Sequence, residues 1–510
     1  MNGWKEFLGR INSGESDADS LKKAAAENFL SYGVYPGSIQ VFEGSYFFIA
    51  RAEKEKVLVV FKESKAFRQL SGDETEFEGS RVKVCKLDNA NGKIIRGIFS
   101  YTNPVSHKGR KITIGLGDRL GLASTGHLRL VKDYDVFPVL AQQSIRELNL
   151  TGRTYEDVLT AAAWAVFQEG YTRGFGADGD HLKTAGEVKM ALDCGFTMIT
   201  LDCSEHIRND ITGLSDSEVE ALYSNVPGDD RYRLESKYLK SEIKVDGSFI
   251  KFSDIEFKRV VLIYLDAIKY TVSIYHQVIA GAGRFIDFEM SIDETQTPTS
   301  PGAHYVVAKE LLDAGVEITS LAPRFCGEFQ KGIDYRGDLA QFTREFDIHT
   351  IIAVKLGYKL SIHSGSDKFT VFPVIGEKTG GVYHLKTAGT NWLEAVRVIA
   401  GKNPGLYRRM HEFALEKLAE AKKYYHISAD PSVIPSLEKL KDSELPGLMD
   451  MDDSRQVLHI TYGLILLAKN SDGTVRFKDE IYSTLNEYEQ DYYAALEKHI
   501  GRHLERLGIR

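Results

Sequence analysis

His181 and His363 are the residues of this chain best suited to hold a metal ion. They stand in GDH (179–181) and IHSGSD (362–367), each directly behind a short apolar run and beside small or acidic neighbours. Imidazole is the commonest protein ligand for zinc-like divalent cations. A catalytic site adds a third protein ligand and leaves positions open for a chelating substrate. Glu328 and Gln330, in EFQK, could each supply that ligand and are preferred slightly over Asp202. His206 and His384 are weaker candidates, because nothing separates them from ordinary polar core positions.

A pair of carboxylates is the second feature. Asp180 closes the third apolar run and Glu289 lies in the fifth. If the runs are strands of one barrel, the two could flank a ligand from different walls, as general acid–base work on both faces of one carbon requires. Asp287 and Glu289 are two apart and so point the same way; the one nearer the strand end, Glu289, should reach the ligand.

Five cations, Arg119, Lys183, Arg324, Lys368 and Lys386, also follow apolar runs, on a chain whose formal net charge is -8. They suggest an anionic substrate, and arginine can grip a carboxylate through two parallel hydrogen bonds. Some of them should instead pair locally with Asp118, Glu328 or Asp367. Gln142 and Asp367 complete the expected substrate contacts. No P-loop or Gly-rich cradle is present, which argues against a phosphorylated substrate. A Schiff-base lysine at Lys183 or Lys386 ranks below the metal, since neither has the apolar surroundings that would lower its pKa.

What must position these groups is a repeated strand and helix. From residue 112 onward, short apolar runs end abruptly in polar clusters: ITIGLGDR (112–119), VFPVLAQQS (136–144), YTRGFGADGDH (171–181), FTMITLDCSEH (196–206), RFIDFEMSIDE (284–294), ITSLAPRF (318–325), YKLSIHSG (358–365) and VYHLKTAG (382–389). Segments of helical period stand between several of them, at 154–170, 303–315 and 339–357, each ending on a glycine. Eight such units predict an α/β fold, a (β/α)8 TIM-type barrel whose chemistry lies at the C-terminal strand ends. A doubly wound open sheet is the competing architecture, and the absence of GxGxxG after the first strand weighs against it. The expected organisation is an N-terminal β-rich cap domain over 1–110, the barrel over 111–405 with an insertion at about 208–282, and a C-terminal helical extension over 406–510. Within the cap, SYFFIARA (45–52), EKVLVVFKE (55–63), RVKVCKL (81–87) and KIIRGIFSY (93–101) read as strands separated by turn-like GDE and NANG. The amphipathic tail would close the barrel bottom or form a subunit contact, which admits a homo-oligomer.

Composition limits the function classes. With 43% hydrophobic and 27% charged residues the chain can bury a sizeable core. Its acidic balance argues against a nucleic-acid partner. Four scattered cysteines without a CxxC pair fit reduced thiols. No apolar run approaches a membrane span, and the charged N-terminus lacks the apolar core of a signal peptide, so a cytoplasmic protein with no membrane partner is expected.

The strand-end motifs GLGDRLGLAS (115–124), FGADGDHLK (175–183), LDCSEH (201–206), DFEMSIDET (287–295), APRFCGEFQKGIDY (322–335) and LSIHSGSDKF (360–369) together resemble the bacterial tagaturonate epimerase family, over about residues 110 to 400. GDHLK and HSGSDK are the most specific parts. Those enzymes interconvert D-tagaturonate and D-fructuronate in hexuronate breakdown. The resemblance implies a metal-dependent epimerase of a free sugar acid, with Asp180 and Glu289 as acid–base pair and His181 and His363 as ligands. Zn, Mn, Ni, Co or Mg could serve as the divalent cation. The hydroxyl to be inverted lies β to the ketone, so retro-aldol cleavage and re-addition is the expected route. Transient oxidation is the chemical rival, and no nicotinamide-binding fingerprint supports it. A class II-type aldolase or a ketose isomerase acting on a sugar acid is the alternative enzyme, and a non-catalytic sugar-acid sensor the alternative from another class.

Overall fold

The expected barrel is present in the computed structural model, which describes residues 3–14, 17–53, 55–239, 243–245 and 248–510. Within the expected insertion, residues 240–242 and 246–247 therefore lie outside the described ones.

A five-stranded antiparallel sheet comes first: β1 (Gln40–Phe42), β2 (Ser45–Ala52), β3 (Glu55–Phe61), β4 (Asp73–Phe77) and β5 (Ser80–Lys86), in the order β1-β2-β3-β5-β4. Its strands alternate strictly, as successive side chains point to opposite faces. Tyr46, Phe48 and Ala50 of β2 pack with Trp4, Phe7 and Leu8 of the first helix (Trp4–Asn12), whereas Phe47 and Ile49 pack with Phe67, Trp164 and Phe167. Each of the buried Phe, Leu and Ile side chains contributes about 1.5–3 kcal/mol by leaving water.

Two local expectations are corrected here. KIIRGIFSY is not a strand: Asp88 accepts from the Asn91 N–H and starts a helix over Asn89–Ile98, so NANG is its first turn. Ile94, Ile95 and Ile98 pack on the sheet at helical spacing, which a period-two reading of this β-branched stretch misses. The supposed turn GDE in fact opens β4.

The barrel strands are β6 (Ile112–Gly115), β7 (Phe137–Ser144), β8 (Gly176–Leu182) and β9 (Met198–Asp202), then, after a hairpin of β10 (Ile243–Val245) and β11 (Ser248–Ile250), β12 (Asp287–Ile292), β13 (Ser320–Pro323), β14 (Lys359–Ile362) and β15 (Tyr383–Lys386). They close in chain order, β15 pairing back in parallel onto β6. Each of the eight apolar runs holds one strand, with β8 reaching one residue past its run, to Leu182. The helices Tyr155–Glu169, Pro301–Asp313 and Leu339–Leu356 stop before Gly170, Gly315 and Gly357, which take the positive φ values (59°, 78° and 84°) that other residues adopt only with strain. No helix among the described residues is long and apolar enough to cross a membrane.

The chain divides into two compact units, Met1–Val105 with Leu116–Phe175 and Gly389–Arg502, and Ser106–Gly115 with Gly176–Ala388 and His503–Arg510. The first holds the antiparallel sheet and a helical core built on Trp392, Tyr407, Met410, Leu458 and Tyr462. In the second, the inward positions of the strands are polar, where barrels of this class ordinarily place Val, Ile and Leu. Asp178, Thr200, Asp287, Glu289, Ser320, Ser361 and His384 are all wholly buried.

Candidate active site

Consecutive strand residues normally point to opposite sides, so Asp180 and His181 should not meet in one site. Here the β8–β9 register slips between Gly179 and Leu182, and His181 adopts φ 52°. Such a bulge re-aims side chains at the end of a strand. Gly179 makes it feasible: a Cβ there would sit 2.9 Å from Leu182 Cδ1 and 3.0 Å from Ala191 Cβ. The second unusual backbone follows β14, where Ser364 and Asp367 also take positive φ. Gly365 between them lies against Leu385 and donates its N–H to the Lys386 carbonyl at 3.0 Å. Strain concentrated at strand ends marks functional backbone more often than packing error.

These two devices bring four expected residues together. His181 Nδ1 lies 2.8 Å from Asp180 Oδ1, and His363 Nε2 lies 2.7 Å from Glu289 Oε1. Each imidazole is thus held by a carboxylate through one nitrogen, and the other nitrogens turn toward Asp293: His181 Nε2 at 3.7 Å and His363 Nδ1 at 3.1 Å from its Oδ1. The ligand atoms of His181, Asp293 and His363 all lie within 4.8 Å of one another. His363 Nδ1 is buried and, despite its nearness to Asp293, makes no hydrogen bond of acceptable geometry among the described residues. A carboxylate–histidine pair presenting its free nitrogen inward is the usual outer support of a metal ligand, so the donor set fits a divalent cation.

Behind the histidines lies Lys386 from β15. Its ammonium is 2.7 Å from Asp180 Oδ1, 3.1 Å from Asp178 Oδ2 and 3.0 Å from Glu289 Oε1, and donates to Thr200 Oγ1 at 2.6 Å. Glu289 also accepts from Thr200 and Ser320. Three carboxylates, Asp178, Asp180 and Glu289, therefore surround a single ammonium, and Asp293 adds a fourth beside the imidazoles, an excess of negative charge that a divalent cation would balance.

The electrostatics follow from that crowding. Burial alone would raise Asp180 and Glu289, but Lys386, then His181 for the one and His363 for the other, hold both well below the usual carboxylate range. Burial would likewise raise Asp293, which His363 and His181 hold well down. Burial opposes the charged form of each histidine, yet Asp180 and Asp293 lift His181 well above its ordinary value, and Asp293 lifts His363.

The other expected residues fall elsewhere. Asp293, rather than Glu328 or Gln330, stands beside the two imidazoles; Glu328 is exposed, and Gln330 Nε2 donates to its carboxylate in the loop after β13. Lys368 donates to the carbonyls of Gln330, Ile333 and Ser366 at 2.8, 2.5 and 2.8 Å, bonds that hold two loops together. Arg324 is bonded to the Thr295 carbonyl, and the Asp367 N–H donates to His503 Nε2 at 3.0 Å. Lys183 keeps an accessible ammonium, 3.0 Å from Glu205 and 3.7 Å from Asp202. Arg119 and Gln142 belong to the first unit. There the buried Arg119 grips Glu147 at 2.9 and 3.1 Å and stacks over Tyr462, and Gln142 is wholly buried. Asp293, a polar group at the end of the fifth run, was not chosen as a ligand, and Asp178 was not named at all for the candidate site. Asp178 had a signal, since it lies two residues before Asp180 in GADGDH and shares its face.

Comparison with known proteins agrees over nearly the whole chain. The family described as tagaturonate epimerase matches residues 35–507. The tagaturonate/fructuronate epimerase of Thermotoga maritima is 43% identical over 478 residues, 93% of this chain and 97% of that protein. Two crystal structures of fructuronate-tagaturonate epimerase UxaE from Cohnella laeviribosi, one native and one complexed with one glycerol, each superpose with a TM-score of 0.92 at 51% identity, covering 96% of this chain and 100% of theirs.

Proposed function

The chain belongs to the tagaturonate epimerase family, and from that premise we propose that it interconverts D-tagaturonate and D-fructuronate as a metal-dependent carbohydrate epimerase of the isomerase class. The observation that supports the reading best is the convergence of two carboxylate-held imidazoles beside Asp293 at the C-terminal strand ends.

His181, His363 and Asp293 would hold the divalent cation. When bound, that cation supplies Lewis-acid polarisation of the substrate ketone. The rest falls to the chain's own groups. One of Asp180 and Glu289 takes the proton from the hydroxyl β to the ketone. The bond between the α and β carbons then breaks, its electron pair passing to the ketone-bearing fragment as an enediolate while the β carbon becomes an aldehyde. That aldehyde turns its other face, the same bond re-forms, and the opposite carboxyl group, protonated at the outset, gives its proton to the new alkoxide, so that the pair ends with its roles exchanged. Lys183, with its ammonium accessible beside Asp202 and Glu205, would meet the substrate carboxylate.

Product analysis by NMR tests the reading. Tagaturonate incubated in heavy water should give fructuronate whose inverted carbon keeps its original hydrogen. Deuterium at that carbon would sink the retro-aldol route. A three-carbon product would make the protein an aldolase, and an aldose would make it an isomerase. Activity should disappear on chelation and return with one of Zn, Mn, Ni, Co or Mg.

A further inference from the structure

We infer that Lys386 is a positioning residue for the proposed reaction: it fixes Asp180 and Glu289 at one shared ammonium, so that the acid and the base stand ready at a set spacing. The inference rests on the epimerase reading above.

Three observations carry it. Lys386 is the only lysine among the described residues whose Nζ lies within 4.0 Å of both Asp180 and Glu289, at 2.7 and 3.0 Å. Its side chain is 4% exposed, and it is further anchored by Thr200 and Asp178. Its backbone is fixed from both sides. The carbonyl accepts from Gly365 in the HSGSD loop, and across the β15–β6 register it faces Gly115, which has no side chain to compete for the space.

The carboxylates need such a partner. Asp180 and Glu289 are each occupied by a histidine on one side, and without a cation between them two buried negative charges at this spacing would repel and move apart. An ammonium donates in three directions with no acceptor of its own, so it can bridge both without taking the site of the substrate. The same contacts exclude the Schiff-base role: an amine held as an ammonium by three carboxylates has no lone pair to attack a ketone.

The rival role is simple charge balance, in which Lys386 would stabilise the fold and leave the chemistry alone. Lys386→Met should lower kcat by roughly 100-fold or more, the range typical of lost acid–base positioning, with KM for tagaturonate and the content of bound divalent cation unchanged. Since that variant leaves three carboxylates without their ammonium, Asp178→Asn serves as a second background with one charge fewer. Adding Lys386→Met to Asp178→Asn should again lower kcat by about 100-fold, with a smaller loss of Tm than Lys386→Met causes in the wild type. If the double variant turns over as fast as Asp178→Asn alone, Lys386 only balances charge and the assignment falls. A loss of bound cation together with activity would also overturn it, by making Lys386 a support of the metal ligands. Wild-type protein assayed alongside separates the two levels. An inactive wild type sinks the epimerase reading and this one with it; an active wild type with an unaffected variant sinks the Lys386 assignment alone.

Discussion

The antiparallel sheet of the first unit and the strand interior of the second are buried to the same degree by opposite chemistry. Phe47, Phe48, Ile49, Leu58, Val59 and Val60 are wholly buried in the sheet; Asp178, Thr200, Glu289, Ser320, Ser361 and His384 are wholly buried between the barrel strands. The apolar set stabilises the fold piece by piece, because each side chain gains from leaving water whatever its neighbour is. The polar set is stable only as a network. Glu289 depends on His363, Lys386, Thr200 and Ser320, and removing one of these strands the others. Even so the network is incomplete, since Ser361 Oγ and His384 Nε2, side by side in the β14–β15 register, have no hydrogen-bond partner among the described residues. Polar groups buried in this way cost stability wherever one partner is missing, and a chain retains them where chemistry uses them.

Neutralising Glu289 should widen that contrast most. Glu289→Gln preserves shape but removes a base, and kcat should fall about 100- to 10,000-fold. Its Tm should fall as well, because the neutral amide no longer offers His363 and Lys386 the charge that holds them. Activity assays beside thermal unfolding check both halves. A variant that keeps its turnover and loses stability would erase the distinction between the two interiors.

Phe48→Ala should lower stability alone. Phe48 is wholly buried and packs edge-on against Phe7 with ring centroids 5.2 Å apart. Truncation there should remove about 3–5 kcal/mol of stability, by lost transfer energy and the cavity left behind, read as a lower urea midpoint. Turnover per folded molecule should be unchanged. A neutral Phe48→Ala would mean that the sheet collapses to fill the space and is less tightly packed than its burial indicates.

The difference between the regions also explains what could be read from the residues. The eight barrel strands were legible because each apolar run breaks off at a polar cluster, a pattern that survives without knowing any partner. His181, His363, Asp180 and Glu289 were legible for the same reason. Asp293 was not: it follows Ile292 as one more acidic residue in SIDE, and only the three-dimensional meeting of β8, β12 and β14 singles it out. The slip at Gly179 was invisible too, because a bulge depends on the neighbouring strand and leaves no spacing of its own. In the cap, KIIRGIFSY misled because isoleucines favour strands by propensity, while the Asp88 cap and packing on the sheet decided for a helix.

Asp287 gives the smallest and most specific test of the polar interior. Burial raises its carboxyl to about 6, although the His107 N–H at 2.7 Å and Ser106 Oγ at 2.9 Å, with Lys359 nearby, favour the charged form. The folded protein therefore holds this proton more tightly than the unfolded chain, whose ordinary value is 3.8. The resulting stabilisation is complete below the unfolded value and is lost as pH rises through about 6. Asp287→Asn cannot titrate, so the stability of the wild type relative to this variant should grow as pH falls from neutrality toward 4, by up to about 3 kcal/mol at 1.36 kcal/mol per pKa unit. No Phe or Val in the sheet can produce such a slope. Other carboxylates contribute equally to both proteins and cancel in the difference, which paired thermal unfolding across that range would measure. A flat difference would show that the hydrogen bonds from His107 and Ser106 outweigh burial, and that the carboxylate stays charged at the floor of the barrel throughout.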